Sequence, residues 1–237
     1  MSTQLTGNII VAAQGLFEEK STSLHNLGEL VYTNDGRSYR YVKAGVTALV
    51  AGKLQQAPAE DTSDQDITPT AAAIGDITVL TSSTMTVTAN QYANGWMIVT
   101  VTPGVGIQYK IKSHVAYTAA AATFTLEDPL QTTLTTTSRV DFVANPYNGV
   151  VVNPTTATSA PVGVAVKAIT AAYFGWLQVG GVATILSDAG STVGTNVSAS
   201  NATPGAVEAA VTAQGAIGVA VTGVATTEYG AFKLFGL

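Results

Sequence analysis

Short segments in which apolar and polar residues alternate fill the middle of the chain. A period of two residues is typical of a strand that buries one face. Four such segments lie close together: 84–88, 95–102, 106–112 and 123–128. Turn sequences such as Asn94-Gly95 and Pro103-Gly104 lie between them, and strands spaced about 8 to 12 residues apart are typical of a small sandwich or barrel. The pattern therefore predicts an antiparallel β domain here.

The chain from residue 156 onward also alternates, but it is almost free of charge. The stretch YFGWLQVGGVATIL predicts a hairpin that turns at Gly180-Gly181, with Trp176 as a core anchor. The final stretch YGAFKLFGL predicts a strand that closes a sheet. No segment shows the periodicity of a long amphipathic helix. The predicted fold class is therefore all-β.

Two stretches of this region resemble each other, VGVAVKAIT at 162–170 and IGVAVTGVA at 217–225. In both, valine or isoleucine alternates with glycine, alanine or a polar residue, as in a strand that packs on one side. An internal repeat and two unrelated strands both explain the likeness. Because this composition is common in strands, we favour two unrelated strands.

Changes in composition predict how the chain is divided. Residues 57–70, APAEDTSDQDITPT, hold two prolines and four acids without apolar periodicity, which is typical of a linker. We therefore predict an N-terminal arm and hairpin over 1–56, this linker, a middle β domain over 71–155 and a charge-poor β domain over 156–237. Both domains are expected to be small antiparallel sandwiches or barrels.

Residues 29–43 are predicted to form a β-hairpin around the turn at 33–36, Thr-Asn-Asp-Gly. Tyrosine and arginine are favoured at protein interfaces, whereas cations on an exposed edge hairpin discourage edge-to-edge pairing. Both interpretations stay open on these residues alone. Alternation places Arg37, Tyr39, Tyr41 and Lys43 on one face. With Arg40 from the other face, the candidate partner-binding residues are Arg37, Tyr39, Arg40, Tyr41 and Lys43.

The composition favours a component of an assembly. Charged residues make up 11% of the chain, against roughly 25% in an ordinary soluble domain. Such a chain usually covers part of its surface with a partner or with further copies of itself. A formal net charge of −5 argues against nucleic-acid binding. There is no cysteine, no basic and apolar leader, and no apolar run long enough for a membrane span. We expect synthesis in the cytoplasm and no membrane partner.

No residue pattern typical of catalysis is found. The two histidines, His25 and His114, lie outside any nucleophile motif, and a turn and a strand end are their simplest roles. Glu127 and Asp128 would point to opposite faces of a strand. A distant carboxylate pair, such as Asp76 with Asp141, would suit a glycan-cleaving enzyme and stays open.

Metal binding is not predicted either. Asp61, Asp64 and Asp66 superficially match a calcium loop, but an EF-hand needs glycine at its sixth position and glutamate at its twelfth. This chain has Asp66 and Ala72 there. We therefore expect no catalytic residue, no metal and no cofactor.

The stretch HNLGELVYTNDGRSYRYVKAGVTALVAGKLQQ, residues 25–56, resembles the N-terminal region of tailed-bacteriophage virion structural proteins, in particular head decoration or capsid cement proteins. The downstream stretch at 173–186 is similar to strands in the C-terminal domains of such proteins. The residues that carry the motif are Leu27, Gly28, Asp35, Gly36, Arg37, Tyr39, Arg40 and Tyr41, followed by Ala44-Gly45 and by residues 49–54.

The resemblance implies a non-enzymatic protein that binds the outer surface of the assembled capsid and stabilises it. Its partners would be the major capsid protein and further copies of itself, commonly as a homotrimer, and its location would be the virion surface. A tail or baseplate protein, with a host-adhesion role, is the main alternative. A glycan depolymerase is a more distant one. Under the first hypothesis, the basic and aromatic hairpin would contact an acidic shell.

Overall fold

A computed structural model describes residues 13–210 and 215–237. Within these ranges the chain is built of strands, and its one helical element is a 3-10 turn at Thr62–Asp64. The prediction of an all-β chain is confirmed. The strands are β1 (Leu30–Tyr32), β2 (Ser38–Ala44), β3 (Leu54–Gln56), β4 (Thr78–Val87), β5 (Trp96–Val101), β6 (Gln108–Ser113), β7 (Tyr117–Leu126), β8 (Arg139–Val143), β9 (Asn148–Val152), β10 (Pro161–Ala165), β11 (Phe174–Leu186), β12 (Asn196–Ala199), β13 (Val207–Ala209), β14 (Gly218–Ala220) and β15 (Tyr229–Phe235).

The chain forms two compact units. The middle unit is Glu60–Asn145, and the outer unit joins the described residues up to Ala59 with those from Pro146 onward. This division differs from the predicted boundaries at 56, 70 and 155. The N-terminal and C-terminal regions, predicted to be separate, belong to one unit because β2 pairs with β11 and β3 pairs with β10. Pairing over such sequence distances leaves no trace in local alternation.

The middle unit is a closed barrel. Its sheet has the order β4-β7-β6-β5-β8. Ile67 bridges Val140 of β8, and Pro69 bridges Thr81 of β4, so the segment around these two residues closes the ring. Part of the predicted linker at 57–70 is therefore structural. The barrel encloses a core that includes the stacked rings of Phe124 and Phe142.

The outer unit contains two barrels that share the long strand β11. This strand runs through Gly180-Gly181 without a turn, so the prediction of a hairpin there is wrong. In the first barrel, β2, β9, β3, β10 and β11 follow one another, and β11 pairs again with β2. In the second, the order is β11-β15-β14-β12-β13, and a parallel bridge from Ser187 to Val207 closes the ring. The cores are separate clusters, one around Val42 and Leu177 and the other around Ile185 and Phe232.

The two barrels have the same arrangement of strands, bends and bridges. The stretch from β10 into β11 has the same order of strand, bend, bridge and turn as the stretch from β14 into β15, which lies 55 residues later. Ile169 bridges Leu49 in the first barrel, and Val224, at the corresponding position, bridges Ser191 in the second. We call these barrels the first and the second repeat.

Backbone details agree with this correspondence. Ala172 and Thr227, which are equivalent, both have a φ of +63°. A Cβ on Gly175 would approach Ile169 to 2.6 Å, and a Cβ on the equivalent Gly230 would approach Val224 to 2.7 Å. The interpretation of the two similar stretches as unrelated strands is therefore wrong. The middle unit lies between β3 and β9, so it is an insertion into the first repeat.

The predicted hairpin at 29–43 is confirmed. Strand β1 pairs with β2 in antiparallel register, with Val31 opposite Tyr39. The turn is closed by the Thr33 N–H, which donates to the Arg37 carbonyl oxygen at 2.9 Å. The hairpin places Arg37 beside Gly181, at the junction of the two repeats.

Candidate functional site

The outer face of the first repeat is covered by the chain itself. This face consists of the side chains of β2 and β11 that point away from the core: Tyr39, Tyr41, Phe174, Trp176 and Gln178. Residues 14–28, which we call the covering segment, lie across it. The buried side-chain oxygen of Gln14 accepts a hydrogen bond from the Tyr41 hydroxyl at 2.7 Å, and its carbonyl accepts one from the Trp176 indole at 3.2 Å.

This arrangement corrects the predicted partner-binding face. Tyr39 and Tyr41 do lie on one side of β2, but both are at most 1% exposed, so neither is available to a partner. Burial raises the pKa of both hydroxyls, which keeps them protonated. His25 packs its ring 5.1 Å from those of Tyr41 and Trp176. Its role is to fill this covered face and not only to form a turn.

The three clustered cations each lie over an aromatic ring of the same chain. Arg37 is 5.7 Å from the Tyr39 ring centroid. The other two contacts are Arg40 over Tyr147 at 5.2 Å and Lys43 over Phe174 at 5.7 Å. Such contacts stabilise by about 0.5–1 kcal/mol at exposed sites. The positive charges clustered on this hairpin therefore have partners within the chain.

Arg40 and Arg37 differ in their hydrogen-bond partners. The Arg40 guanidinium also donates to the Gly28 carbonyl oxygen at 2.7 Å, which ties it to the covering segment. The Arg37 Nε donates to Asp35 at 2.8 Å. A hydrogen bond from the Thr33 hydroxyl lowers the pKa of that carboxyl group. Arg37, one of the predicted partner-binding residues, lines a pocket.

This pocket lies where the two repeats meet and has a volume of about 430 Å³. Volumes of about 300 to 1,000 Å³ are typical of ligand sites. The ring of Tyr229 packs against Gly52 and forms one wall. The side chains that decide its chemistry are Phe17, Arg37, Gln178, Val182, Thr184 and Tyr229.

The outer face of the second repeat begins at this pocket and is exposed. It is formed by the outward side chains of β11 and β15: Val182, Thr184, Tyr229, Ala231, Lys233 and Phe235. Val182, Tyr229 and Phe235 are 48%, 50% and 57% exposed, and Phe17, which also lines the pocket, is 61% exposed. Contiguous exposed apolar side chains of this kind mark interaction surfaces.

The middle unit contains a buried polar cluster. The Tyr92 hydroxyl donates to Asp64 at 2.5 Å, and the Tyr92 N–H donates to His114 Nε2 at 3.0 Å. The Nδ1 of His114 donates to the Val115 carbonyl oxygen at 2.9 Å. His114, predicted to be a strand-end side chain, does follow β6, but it is only 6% exposed. Each group is held by neighbours, so the cluster acts as a structural support.

The acidic side chains singled out in the sequence are engaged separately. Asp61 accepts a hydrogen bond from the Ser63 N–H, and Asp66 lies 3.7 Å from Arg139. The carboxylate of Asp76 accepts from the Ala73 N–H, and that of Asp141 from the Asp66 N–H. Among residues 13–210 and 215–237, no three metal-ligating side chains form a group. In the same ranges, no helix is long and apolar enough to cross a membrane.

Sequence reasoning missed Phe17, Val182, Tyr229 and Lys233. The alternation of residues in β15 places Tyr229, Lys233 and Phe235 on one face, and this alternation was the available signal. Alternation alone does not tell which of the two faces of a strand packs against the core.

Comparisons of the chain with family models, curated proteins and solved structures found no match.

Proposed function

We propose that this chain is a structural protein of a tailed-bacteriophage virion, which binds the outer surface of the assembled capsid and stabilises it. The observation that carries the proposal is the exposed, apolar outer face of the second repeat with its pocket. A barrel protein with this surface and so few charges is suited to adhesion, because an interface core is depleted of charged residues.

The sequence resemblance to virion structural proteins of tailed bacteriophages supports the same class of protein. The two stretches that carry it, 25–56 and 173–186, contain β2 and β11, which pair along six positions of β2. They are therefore parts of one structural unit and not two scattered likenesses. We extend the proposal to self-association as a cyclic homo-oligomer, a trimer in the simplest case, because symmetric copies repeat one contact around an axis.

Capsid binding can be tested with purified heads that lack the protein. The chain is mixed with the heads, the heads are sedimented, and the bound chain is measured against the major capsid protein. We expect saturable binding at a fixed ratio and a higher melting temperature of the heads, because a ligand of the folded shell stabilises it. Light scattering on the free chain gives its oligomeric mass.

Two controls separate the alternatives. Isolated tails are treated in the same way, and binding to tails with none to heads would replace the capsid role with a tail or baseplate role. An acidic, barrel-forming protein from an unrelated source controls for non-specific adsorption to the shell. Equal retention of that control would remove the support for specific binding.

A further inference from the structure

The two repeats differ in what covers their outer faces. In the first repeat, the covering segment lies across β2 and β11 and places Gln14 against Tyr41 and Trp176. The equivalent positions of the second repeat are Thr184 and Ala231, which face each other in the same register. No described residue of the chain is hydrogen-bonded across this second face in the same way. Among residues 13–210 and 215–237, the first repeat therefore has an occupied outer face and the second repeat has an equivalent open one.

The open face is mainly apolar and carries one positive charge. Its apolar side chains and the pocket beside them can take an aliphatic or aromatic side chain. Lys233 is exposed, lies opposite Val182, and has no ion pair to any described residue. Arg37 lines the adjoining pocket. None of the six side chains of the face is acidic. The complementary partner is therefore apolar with carboxylates at its edge.

A second copy related by a two-fold axis fits the face poorly. In a two-fold contact each face meets itself, so Lys233 would lie near its own copy with no carboxylate on the face to balance the two charges. Like charges brought together in an interface oppose association. A partner that offers carboxylates to Lys233 fits the face better, and the capsid protein is the partner that the proposed function supplies.

We propose that the outer face of the second repeat binds a segment of the capsid protein that carries a large apolar side chain for the pocket and a carboxylate for Lys233. This inference rests on the proposed function. The binding mode repeats, between chains, what the covering segment does within the chain on the first repeat.

The test uses full-length chains and the same purified heads as the probe. Val182→Asp places an anion on the apolar wall, and Lys233→Glu reverses the charge of the face. Each is expected to lower the affinity for heads at least about tenfold. Matched controls elsewhere are Val46→Asp, at a side chain that is 93% exposed, and Lys110→Glu on the middle unit. Both controls should bind as the unchanged chain does.

The dependence of head binding on salt concentration tests whether Lys233 pairs with a carboxylate of the partner. The affinity of the unchanged chain should fall between about 50 and 300 mM NaCl, and that of Lys233→Gln should fall less. Thermal melting of each variant checks that the fold is kept. If the unchanged chain binds heads and both face variants bind equally well, the inference is overturned while the proposed function stands. If the unchanged chain does not bind heads, both fail.

One further outcome would assign the face to another occupant. Sedimentation velocity that shows an oligomer for the unchanged chain and a monomer for Val182→Asp would indicate a second copy. That result overturns the inference.

Discussion

At the scale of single residues, His114 shows how a buried polar group is held in one protonation state. A carbonyl oxygen can only accept and an N–H can only donate, so Nδ1 carries the proton and Nε2 accepts from Tyr92. Burial lowers the pKa of His114 below its ordinary value of 6.5. Protonation of Nε2 would set two donors against each other at 3.0 Å.

This histidine should make the middle unit sensitive to acid. As the pH falls through the ordinary histidine pKa, the unfolded chain takes up a proton that the folded chain does not, so stability falls with pH. Between about pH 7.5 and pH 5.5 the loss reaches up to about 1.4 kcal/mol. Amide hydrogen exchange around Tyr92, corrected for the intrinsic effect of pH, measures it. His114→Gln should reduce the dependence of this stability on pH.

Protonation of Asp64 changes the stability of the middle unit with pH in the opposite direction, so a variant of Asp64 is the control. Burial raises the pKa of its carboxyl above 3.8, so the folded state holds the proton longer. The stability that this proton gives is lost as the pH rises through the folded pKa. Asp64→Asn removes that slope and should leave the histidine slope in place. An unchanged pH profile in His114→Gln would show that another group causes the acid sensitivity.

At the scale of elements, the repeats place a glycine where two strands come closest. A Cβ on Gly218 would lie 2.6 Å from the backbone oxygen of Lys233, and a Cβ on the equivalent Gly163 would lie 2.9 Å from that of Gln178. Each contact joins the strand before the bend to the strand after it. The glycines in the two similar sequence stretches are therefore required by strand packing.

Gly218→Ala should destabilise the outer unit by about 1–3 kcal/mol, because a backbone oxygen cannot move aside as a side chain can. Gly163→Ala should act in the same direction, with an added cost from its φ of +143°. Urea unfolding followed by tryptophan fluorescence measures both. Gly215→Ala is the matched control, since a Cβ there would meet no heavy atom within 4 Å. Equal stability of Gly218→Ala and Gly215→Ala would contradict the close approach.

At the scale of the whole molecule, the chain is a pair of repeats with a third barrel inserted into the first. Strand β3 before the insertion pairs with β9 after it, with Gln56 opposite Val151. In the second repeat the equivalent strands β12 and β13 are joined by residues 200–206 alone. The first repeat therefore closes its sheet around the insertion, and each unit has its own core.

Removal of residues 60–145 should leave a folded outer unit. A Gly-Gly link between Ala59 and Pro146 gives a β3–β9 connection as long as that between β12 and β13. Because the cores are separate, the shortened chain should keep dispersed NMR signals and a cooperative thermal transition. Residues 60–145 expressed alone should also fold. A shortened chain without a cooperative transition would show that the insertion supports the first repeat.

The alternation of apolar and polar residues by itself determined the all-β class, the hairpin at 29–43 and which side chains share a face of β2. These are local properties, set by the two-residue period of a strand and by turn residues such as Asp35-Gly36. The same information left a partner-binding role open for Tyr39 and Tyr41, because it cannot say what lies above a face.

Only the tertiary structure decided which faces are covered and which strands meet. The covering segment buries Tyr41 and Trp176, whereas the equivalent face of the second repeat stays exposed, although both faces have the same period. The pairing of β2 with β11 joins residues more than a hundred positions apart. Strand pairing and burial over such distances depend on the fit of whole elements, and a local pattern specifies the strand without specifying its neighbour.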